Sequence, residues 1–507
     1  MPTTPTLLLK NGTALLHGPN NKVVPTRTDI LVEGNIITRV EHDIYVPPGT
    51  KVTVIDCTNK IISPGFVDGH QHVWQTLNRG RHADDSLLEY MPKGNLTSDI
   101  HTAEDIFWGE LGGCLSLLNS GTTTVVDHSH INVAPGRAKT AISAVVTSGI
   151  RSIYCFTPTT RVKSWKPLVL SDSNTLEPWL LSDFSALSEK APFGPNGRVQ
   201  LGLGFDFWHL PVDVAKPLFD IALKGGVKLI TGHMVGGGIW PFGKFPQSLE
   251  KFGLFPSGDG TEKPFRILLS HATEITKEQV DVFVENDVYI VSTPTTELQM
   301  GQGRPVGFDD GIRENACFGG DCQSNGGNSI IGELRLGLQA ERGMRNQKFV
   351  DKGKGVRTLH RTAEQAFNLG TIQGARAVGM EKQIGSIGVG KFADLVVFDG
   401  ESPGMICAAQ TEPVAAVMLF STPEDITTVI VDGLLRKSEG KLRPVQVEVG
   451  AKALAGGDTL EWKDIAKRIL KKREHYWDRN STLDFKGAED DLMKGWGISE
   501  EKITNDL

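Results

Sequence analysis

The stretch Pro64-Gly-Phe-Val-Asp-Gly-His70-Gln-His72 is an apolar run that ends in two histidines separated by one residue. In an extended chain, residues two apart point to the same side, so both imidazoles can reach one metal ion. Barrel enzymes hold their active sites at the carboxyl ends of the strands, which is where this pair falls. The motif therefore predicts a metal-binding strand at the mouth of a barrel.

Apolar β-rich runs alternate with helical stretches through the middle of the chain, a pattern typical of a parallel sheet built from βα units. The candidate strands span residues 61–67, 122–126, 152–156, 200–205, 227–231, 265–270, 288–292 and 316–320. Eight strands are the number that a (β/α)8 TIM barrel needs. We therefore expect an α/β protein in which residues 61–384 form the barrel.

Short strand-like runs also occur near both ends of the chain. Residues 1–60 contain such runs between Asn-Gly and Pro-Pro-Gly turns, and residues 393–400 and 427–433 each end in Asp-Gly. We expect residues 1–60 and 385–450 to form one small β-sandwich domain. Residues 451–507 carry an apolar helical stripe around Ile465 and Ile469, which predicts a helical C-terminal tail.

The composition excludes several classes of function. Of the 507 residues 39% are hydrophobic and 22% charged, as in ordinary folded proteins. The excess of 60 acidic over 53 basic residues, a formal charge of -7, argues against nucleic acid as a partner. None of the six cysteines forms a C-x-x-C pair, which disfavours a thiolate zinc site. The first residues lack a signal or membrane-spanning pattern, so we expect a cytoplasmic protein without a membrane partner.

Further motifs follow the His-x-His strand in a fixed order: Gln75-Thr-Leu-Asn-Arg79, Ala83-Asp-Asp85, Gly121-Thr-Thr-Thr-Val-Val-Asp127, and a closing segment over residues 385–399. Together they resemble the amidohydrolase superfamily, in the branch that contains cytosine deaminase and the triazine hydrolases. The resemblance covers nearly the whole chain apart from the tail. It also implies a homodimer or larger homo-oligomer.

The resemblance implies a third histidine after strand five, a fourth after strand six and an aspartate after strand eight. The sequence supplies His233, His271 and Asp321 at these places. By resemblance, His233 and Asp321 complete the metal site with the His-x-His pair, and Asp321 takes a proton from the attacking water. His271 is expected to contact the substrate or that water.

Members of the superfamily with two metals use a bridging lysine at the end of strand four. Residues 200–209 contain no lysine, so one divalent metal is favoured. Three histidines and one aspartate suit zinc, with iron or manganese as alternatives.

One position departs from the family pattern. Deaminases and triazine hydrolases of this branch usually carry His-x-x-Glu after strand five, where the glutamate passes a proton to the substrate ring. Here the segment reads His233-Met-Val-Gly236, so this glutamate is absent. Glu297, after strand seven, is a candidate replacement, and an equally good interpretation is a helix-capping or solvent-facing carboxylate.

The candidate substrate-binding residues are Gln75, Trp74, His130 and Trp240. The aromatic residues would suit a flat or apolar small molecule, although packing is the more common role for such side chains. His130 could equally hold a neighbouring residue by a hydrogen bond, and His128 is a weaker candidate.

These observations favour a metal-dependent hydrolase that attacks a C–N bond of a small cyclic or aromatic molecule, by amine removal or by opening a cyclic amide. A metal-dependent lyase, decarboxylase or hydratase on the same barrel is the alternative, since such reactions do not need the absent glutamate. A non-catalytic binding scaffold is disfavoured, because every metal ligand that the resemblance implies is present.

Overall fold

β-Strands from both ends and from the middle of the chain build two large sheets. The structure, a computed structural model, describes residues 6–172, 176–240, 245–255 and 263–504. Its strands are β1 Thr6–His17, β2 Val23–Glu33, β3 Ile36–Glu41, β4 Val52–Asp56, β5 Lys60–Pro64, β6 Phe66–His72, β7 Thr122–Asn132, β8 Arg151–Pro158, β9 Val162–Trp165, β10 Leu168–Leu170, β11 Val199–Gly204, β12 Leu229–Val235, β13 Arg266–Thr273, β14 Val288–Ser292, β15 Ala316–Phe318, β16 Asp321–Cys322, β17 Leu395–Asp399, β18 Ile426–Val431, β19 Leu434–Ser438, β20 Lys441–Leu442, β21 Val445–Gln446 and β22 Thr459–Leu460.

Helices follow most of the barrel strands and also form the end of the chain. They are α1 Leu87–Tyr90, α2 Ala103–Asn119, α3 Arg137–Ser148, α4 Pro178–Ser188, α5 Val212–Lys224, α6 Gln247–Lys251, α7 Lys277–Glu285, α8 Pro294–Gln299, α9 Ile330–Val350, α10 Ala363–Leu369, α11 Ile372–Ala377, α12 Ala408–Thr411, α13 Pro413–Ala415, α14 Lys452–Ala455, α15 Trp462–Asn480 and α16 Phe485–Trp496. Among the helices of the described ranges, none is both long and apolar enough to cross a membrane.

The barrel sheet is parallel and has the order β15-β14-β13-β12-β11-β8-β7-β6-β16. β15 pairs with β14, and β16 pairs with β6 on the other side. Because only Gly319 and Gly320 separate β15 from β16, the two are halves of one eighth strand that closes the sheet. The predicted TIM barrel is therefore confirmed.

The predicted first strand, residues 61–67, is divided between the two sheets. Residues up to Pro64 belong to β5, which pairs with β17 and β1, and the barrel strand β6 begins at Phe66. Gly65 lies at the change of sheet, where a Cβ atom would come within 2.0 Å of the Thr123 hydroxyl oxygen. Both halves are almost wholly buried, which explains why the sequence shows one continuous apolar run.

Four barrel strands, β6, β7, β12 and β13, extend beyond their predicted carboxyl ends into histidines, and β6 reaches His72. β7 continues to Asn132 and includes His128 and His130, β12 includes His233, and β13 includes His271. The pairing of these strands shifts register near their carboxyl ends. Polar residues in these segments therefore remain within the strands, although their sequence resembles a loop.

The second sheet has the order β20-β19-β18-β17-β5-β1-β2-β3, with β4 also paired with β1. It joins both ends of the chain, so the predicted composite β domain is confirmed as a fold. Buried ion pairs connect it with the barrel: the Arg151 guanidinium lies 2.7 Å from Asp394 and 3.3 Å from Asp432. The domain boundaries at residues 60, 384 and 450 remain predictions.

The C-terminal tail is helical, as predicted, and packs against α2. Ile465 is buried in this contact, and Ile469 approaches Gly112 so closely that a Cβ atom there would lie 2.4 Å from the Ile469 Cδ1 atom. Two cations of α15 add ion pairs to acidic residues at the start of α2, Lys472 with Glu104 and Arg479 with Asp105. Two basic residues of α15 therefore help to hold the tail against α2.

Candidate metal centre

Strand ends β6, β12 and β16 bring the four predicted metal ligands together. The His70 Nε2 atom lies 3.1 Å from Asp321 Oδ1, and His72 Nε2 lies 3.3 Å from the same oxygen. His72 Nε2 and His233 Nε2 are 3.3 Å apart. Ligand atoms of His70, His233 and Asp321 lie within 4.8 Å of one another, a spacing that one ion can bridge, and an atom of His271 falls within the same limit.

The hydrogen bonds of two of these histidines fit a cation at the centre. His72 Nδ1 donates to the His128 carbonyl oxygen at 2.8 Å, and His233 Nδ1 donates to the Asp206 carboxylate at 3.0 Å. In the neutral imidazoles the proton is thus on Nδ1, and both Nε2 lone pairs face each other. Two lone pairs at that distance repel unless a positive charge lies between them, so the donor set fits a metal ion.

Asp206 orients His233 and was missed by the sequence analysis. Its Oδ2 atom accepts hydrogen bonds from both His233 Nδ1 and His128 Nε2 at 3.0 Å, and Oδ1 accepts from the His233 backbone N–H at 2.8 Å. Burial alone would lower the pKa of His233, but the Asp206 carboxylate raises it. A carboxylate bonded to the far nitrogen of a ligand histidine fixes its orientation and makes it a stronger metal ligand.

The signal for Asp206 was its position two residues after β11, at the strand end where members of the superfamily with two metals carry a lysine. His128, Asp206 and His233 form a second group with metal-ligand spacing. Because Asp206 already accepts hydrogen bonds from both imidazoles, its bonds serve to orient the histidines.

Asp321 lies in a left-handed backbone conformation, with φ of 55°, and His271 likewise has φ of 71°. Such strained residues often occur at functional sites. Burial alone would raise the pKa of Asp321, but hydrogen bonds with His70 and His72 hold that pKa well below its usual range. Thr296 donates to Asp321 Oδ2 at 2.6 Å. Asp321 is therefore an ionised carboxylate whose second oxygen is held in place.

His271 lies beside the candidate metal ligands and not among their closest contacts. Its Nε2 atom is 4.0 Å from Asp321 Oδ1, and its Nδ1 atom bonds the Thr293 hydroxyl at 2.8 Å. Burial lowers the pKa of His271 to about 4, so the imidazole is neutral near pH 7. A neutral imidazole can accept or donate a proton at Nε2 as a reaction requires.

Glu297 is fully buried and lies behind Thr293. Its Oε1 atom accepts from the Thr293 backbone N–H at 2.8 Å and lies 3.9 Å from His271 Nδ1, whereas Oε2 has no hydrogen-bond partner among the described residues. Burial raises the pKa of Glu297 well above its usual range. The structure thus combines the helix-capping contact with a buried carboxyl near His271, and the solvent-facing alternative is wrong.

Gly236 lies where the usual glutamate is absent, and no side chain fits there. A Cβ atom on Gly236 would lie 2.4 Å from the Thr273 carbonyl oxygen on the neighbouring strand β13. Because this contact is with backbone, a glutamate would require the two strands to move apart. The absence of the glutamate is thus built into the packing of β12 against β13.

The predicted substrate-binding residues occupy different depths. Gln75 is buried, donates to the Tyr90 hydroxyl at 2.7 Å and accepts from Ser324 at 3.1 Å. The His130 ring lies 4.0 Å from the His72 ring, and neither of its nitrogens has a partner among the described residues. Trp74 is fully buried and packs edge-on against His130 at 5.4 Å, so it supports that ring from behind.

Trp240 lies further out, over an apolar cluster next to Asp321. This cluster contains Tyr90, Val235, Met300 and Cys322. Tyr90 and Cys322 also contact each other through their hydroxyl and sulfur atoms at 3.3 Å. The surroundings of the metal centre are therefore apolar on this side, which suits an uncharged planar group more than a highly charged one.

Residues 61–191 and 259–436 match the amidohydrolase family, and the chain belongs to that family. A 5-methylthioadenosine/S-adenosylhomocysteine deaminase of Caldanaerobacter subterraneus is 27% identical over 460 residues, covering 87% of this chain and 95% of the relative. A 5'-deoxyadenosine deaminase of Methanobrevibacter smithii is 25% identical over 466 residues, covering 88% and 96%.

Solved structures with the same fold carry zinc. An adenosine deaminase from Xanthomonas campestris with bound zinc aligns with a TM-score of 0.71 at 17% identity, covering 95% of this chain and 100% of that chain. An atrazine chlorohydrolase from Arthrobacter aurescens complexed with zinc aligns with a TM-score of 0.69 at 18% identity, covering 91% and 100%. The chain is therefore a metal-dependent hydrolase that acts on C–N bonds.

Proposed function

We propose that the protein binds one zinc ion through His70, His72, His233 and Asp321 and removes an amino group from a planar nitrogen heterocycle by hydrolysis. The observation that carries this proposal is the convergence of these side chains on one point at the carboxyl end of the barrel. When bound, such an ion lowers the pKa of a water molecule towards neutrality and polarises the carbon under attack.

Asp321 is the proposed proton acceptor for the attacking water. Its Oδ1 atom faces the histidines, and Thr296 holds its Oδ2 atom, so the carboxylate cannot rotate away from the reacting centre. Because its pKa is held below the usual range, Asp321 is ionised over the whole neutral pH range.

His271 and Glu297 are the proposed source of the proton for the substrate ring or the leaving amine. His271 bonds Thr293, whose hydroxyl lies 3.5 Å from Glu297 Oε1, so the three groups form a continuous path for a proton. Burial raises the pKa of the Glu297 carboxyl, which favours its protonated form. This path supplies what a glutamate at position 236 would supply.

The relatives support a purine nucleoside derivative as the substrate, since two of them are named as deaminases of adenosine derivatives. The apolar cluster beneath Trp240 also supports a flat ring. Gly236 favours a second candidate, the opening of a cyclic amide, because that reaction needs no protonation of an aromatic ring nitrogen. The resemblance further supports a homodimer or larger homo-oligomer, whose size light scattering on the purified protein would measure.

The proposal is tested by incubating the zinc-loaded protein with 5'-deoxyadenosine, S-adenosylhomocysteine, guanine, cytosine and a cyclic amide such as dihydrouracil. We expect ammonia release and an ultraviolet shift with an adenosine derivative, and no turnover after zinc is removed with a chelator. Ring opening of the cyclic amide without ammonia release would favour the second candidate. Turnover that survives complete removal of the metal would contradict both.

A further inference from the structure

A cavity outside the metal centre lies where three parts of the chain meet. Its volume is about 690 Å³, within the ~300–1,000 Å³ that small-molecule sites usually have. The walls come from α2, from the β19–β20 hairpin and the residues after it, and from the start of α15. The barrel, the β domain and the tail thus all contribute.

Cations outnumber carboxylates on its walls. Four lining residues are basic, namely Arg79, Lys441, Arg443 and Lys463, and two are acidic, namely Glu439 and Glu461. Within the described ranges, none of these six side chains forms an ion pair with another residue. Unpaired cations around a cavity attract an anion, and guanidinium groups favour phosphate or carboxylate in particular.

Arg79 differs from the three lysine and arginine residues at the rim because it is partly buried. Its Nη2 atom donates to Gln323 Oε1, and its Nε atom has no partner among the described residues. Burial lowers the pKa of Arg79 to about 10, so the guanidinium keeps its charge at neutral pH in a poorly solvated place. A buried cation without a counterion is unfavourable and gains stability when an anion binds.

The same residue connects the cavity with the metal centre. Gln323 Nε2 contacts Gln71 Oε1 at 3.4 Å, and Gln71 lies between His70 and His72 on β6. Arg79 is therefore connected, through Gln323 and Gln71, with the strand that carries two proposed metal ligands.

Other residues that line the cavity indicate which further chemical groups the bound anion carries. Trp462 is 41% exposed at the cavity and presents an aromatic ring on which a planar group can stack. Glu439 and Glu461 supply acceptors for hydroxyl groups. We propose that the cavity binds a nucleoside monophosphate, with its phosphate among the cations, its ring on Trp462 and its sugar hydroxyls towards the carboxylates.

Calorimetric titration with uridine monophosphate tests this site, because the uracil ring carries no amino group for the proposed reaction to remove. We expect a Kd of roughly 10–100 µM for the wild type, and binding at least about tenfold weaker for uridine and for inorganic phosphate. The double variant Arg443→Gln, Lys463→Gln should weaken nucleotide binding about tenfold or more.

The matched control is Lys467→Gln, Lys471→Gln, which removes the same charge from exposed positions of α15 outside the cavity. We expect its Kd to stay within about twofold of the wild type. Thermal unfolding of both double variants shows whether they are folded. The proposal is overturned if the wild type gives no saturable heat up to millimolar nucleotide, or if both double variants bind the nucleotide equally well.

Discussion

Replacing Asp206 by asparagine tests whether this carboxylate holds His233 in its metal-binding orientation. Asparagine keeps the size and one carbonyl oxygen, but it removes the charge and places an amide N–H₂ where one oxygen was. The Oδ2 atom of Asp206 accepts hydrogen bonds from both His233 Nδ1 and His128 Nε2 at 3.0 Å, and these two bonds are the ones that the substitution weakens. Asp206→Asn therefore leaves both imidazole N–H groups without a charged acceptor.

The expected magnitude follows from those bonds. A hydrogen bond to a charged group contributes about 1.5–3 kcal/mol, and loss of a carboxylate behind a ligand histidine commonly weakens metal binding ~10–100-fold. Because 31% of the Asp206 side chain is exposed, water can replace part of the interaction. We therefore expect zinc affinity to fall by roughly tenfold, near the lower end of that range.

Competition with a chromophoric zinc chelator measures this change directly. The matched control is Asp220→Asn, which removes an exposed carboxylate that pairs with Lys216 at 2.6 Å far from any candidate ligand. We expect the control to bind zinc as the wild type does. Equal zinc affinity for Asp206→Asn and the wild type would refute the orienting role of Asp206.

Four further predictions follow. His70→Ala should lose most of its metal, whereas His271→Ala should keep its metal and turn over substrate about 10²–10⁴-fold more slowly. Atomic emission measures the metal content and steady-state kinetics the turnover, and equal metal loss in both variants would contradict the assignment. Glu297→Gln should lower kcat by roughly tenfold or more, and an unchanged kcat excludes the proton path. Gly236→Glu should lower the melting temperature, because the new side chain forces β12 and β13 apart, and it should not create cytosine deaminase activity. A variant that is as stable as the wild type and deaminates cytosine would contradict this prediction. Burial lowers the pKa of His17 from its usual value near 6.5 to about 4, so the unfolded chain binds a proton more readily than the folded one as the pH falls. Stability should therefore drop by roughly 2–3 kcal/mol between pH 7 and 4.5 relative to His17→Gln; urea unfolding measures this, and equal losses in the two proteins would disprove it.

Much of the fold could be predicted because the strands of a parallel barrel are buried on both faces and stand out as apolar runs. The same property hid the change of sheet at Gly65, since β5 and β6 are buried alike on both sides of it. The extensions of β7, β12 and β13 were also missed, because their polar ends line the barrel mouth and resemble loops in sequence.

The candidate site could be predicted in part for a related reason. Few histidines lie at strand ends, and their order along the chain, followed by an aspartate after strand eight, matches the order of metal ligands in the amidohydrolase superfamily. Asp206, Thr293 and Tyr90 belong to no such ordered pattern, and their contacts depend on which parts of the chain meet in space. The sequence also shows that a glutamate is missing at Gly236, but only the structure shows the backbone contact with Thr273 that excludes it.

Diffraction at the zinc absorption edge tests the central claim most directly, because it locates the metal without reference to activity. We expect one anomalous peak per chain, about 2.0–2.2 Å from the Nε2 atoms of His70, His72 and His233 and from an Asp321 oxygen. A single peak between His128 and Asp206, or two peaks in one chain, would contradict it.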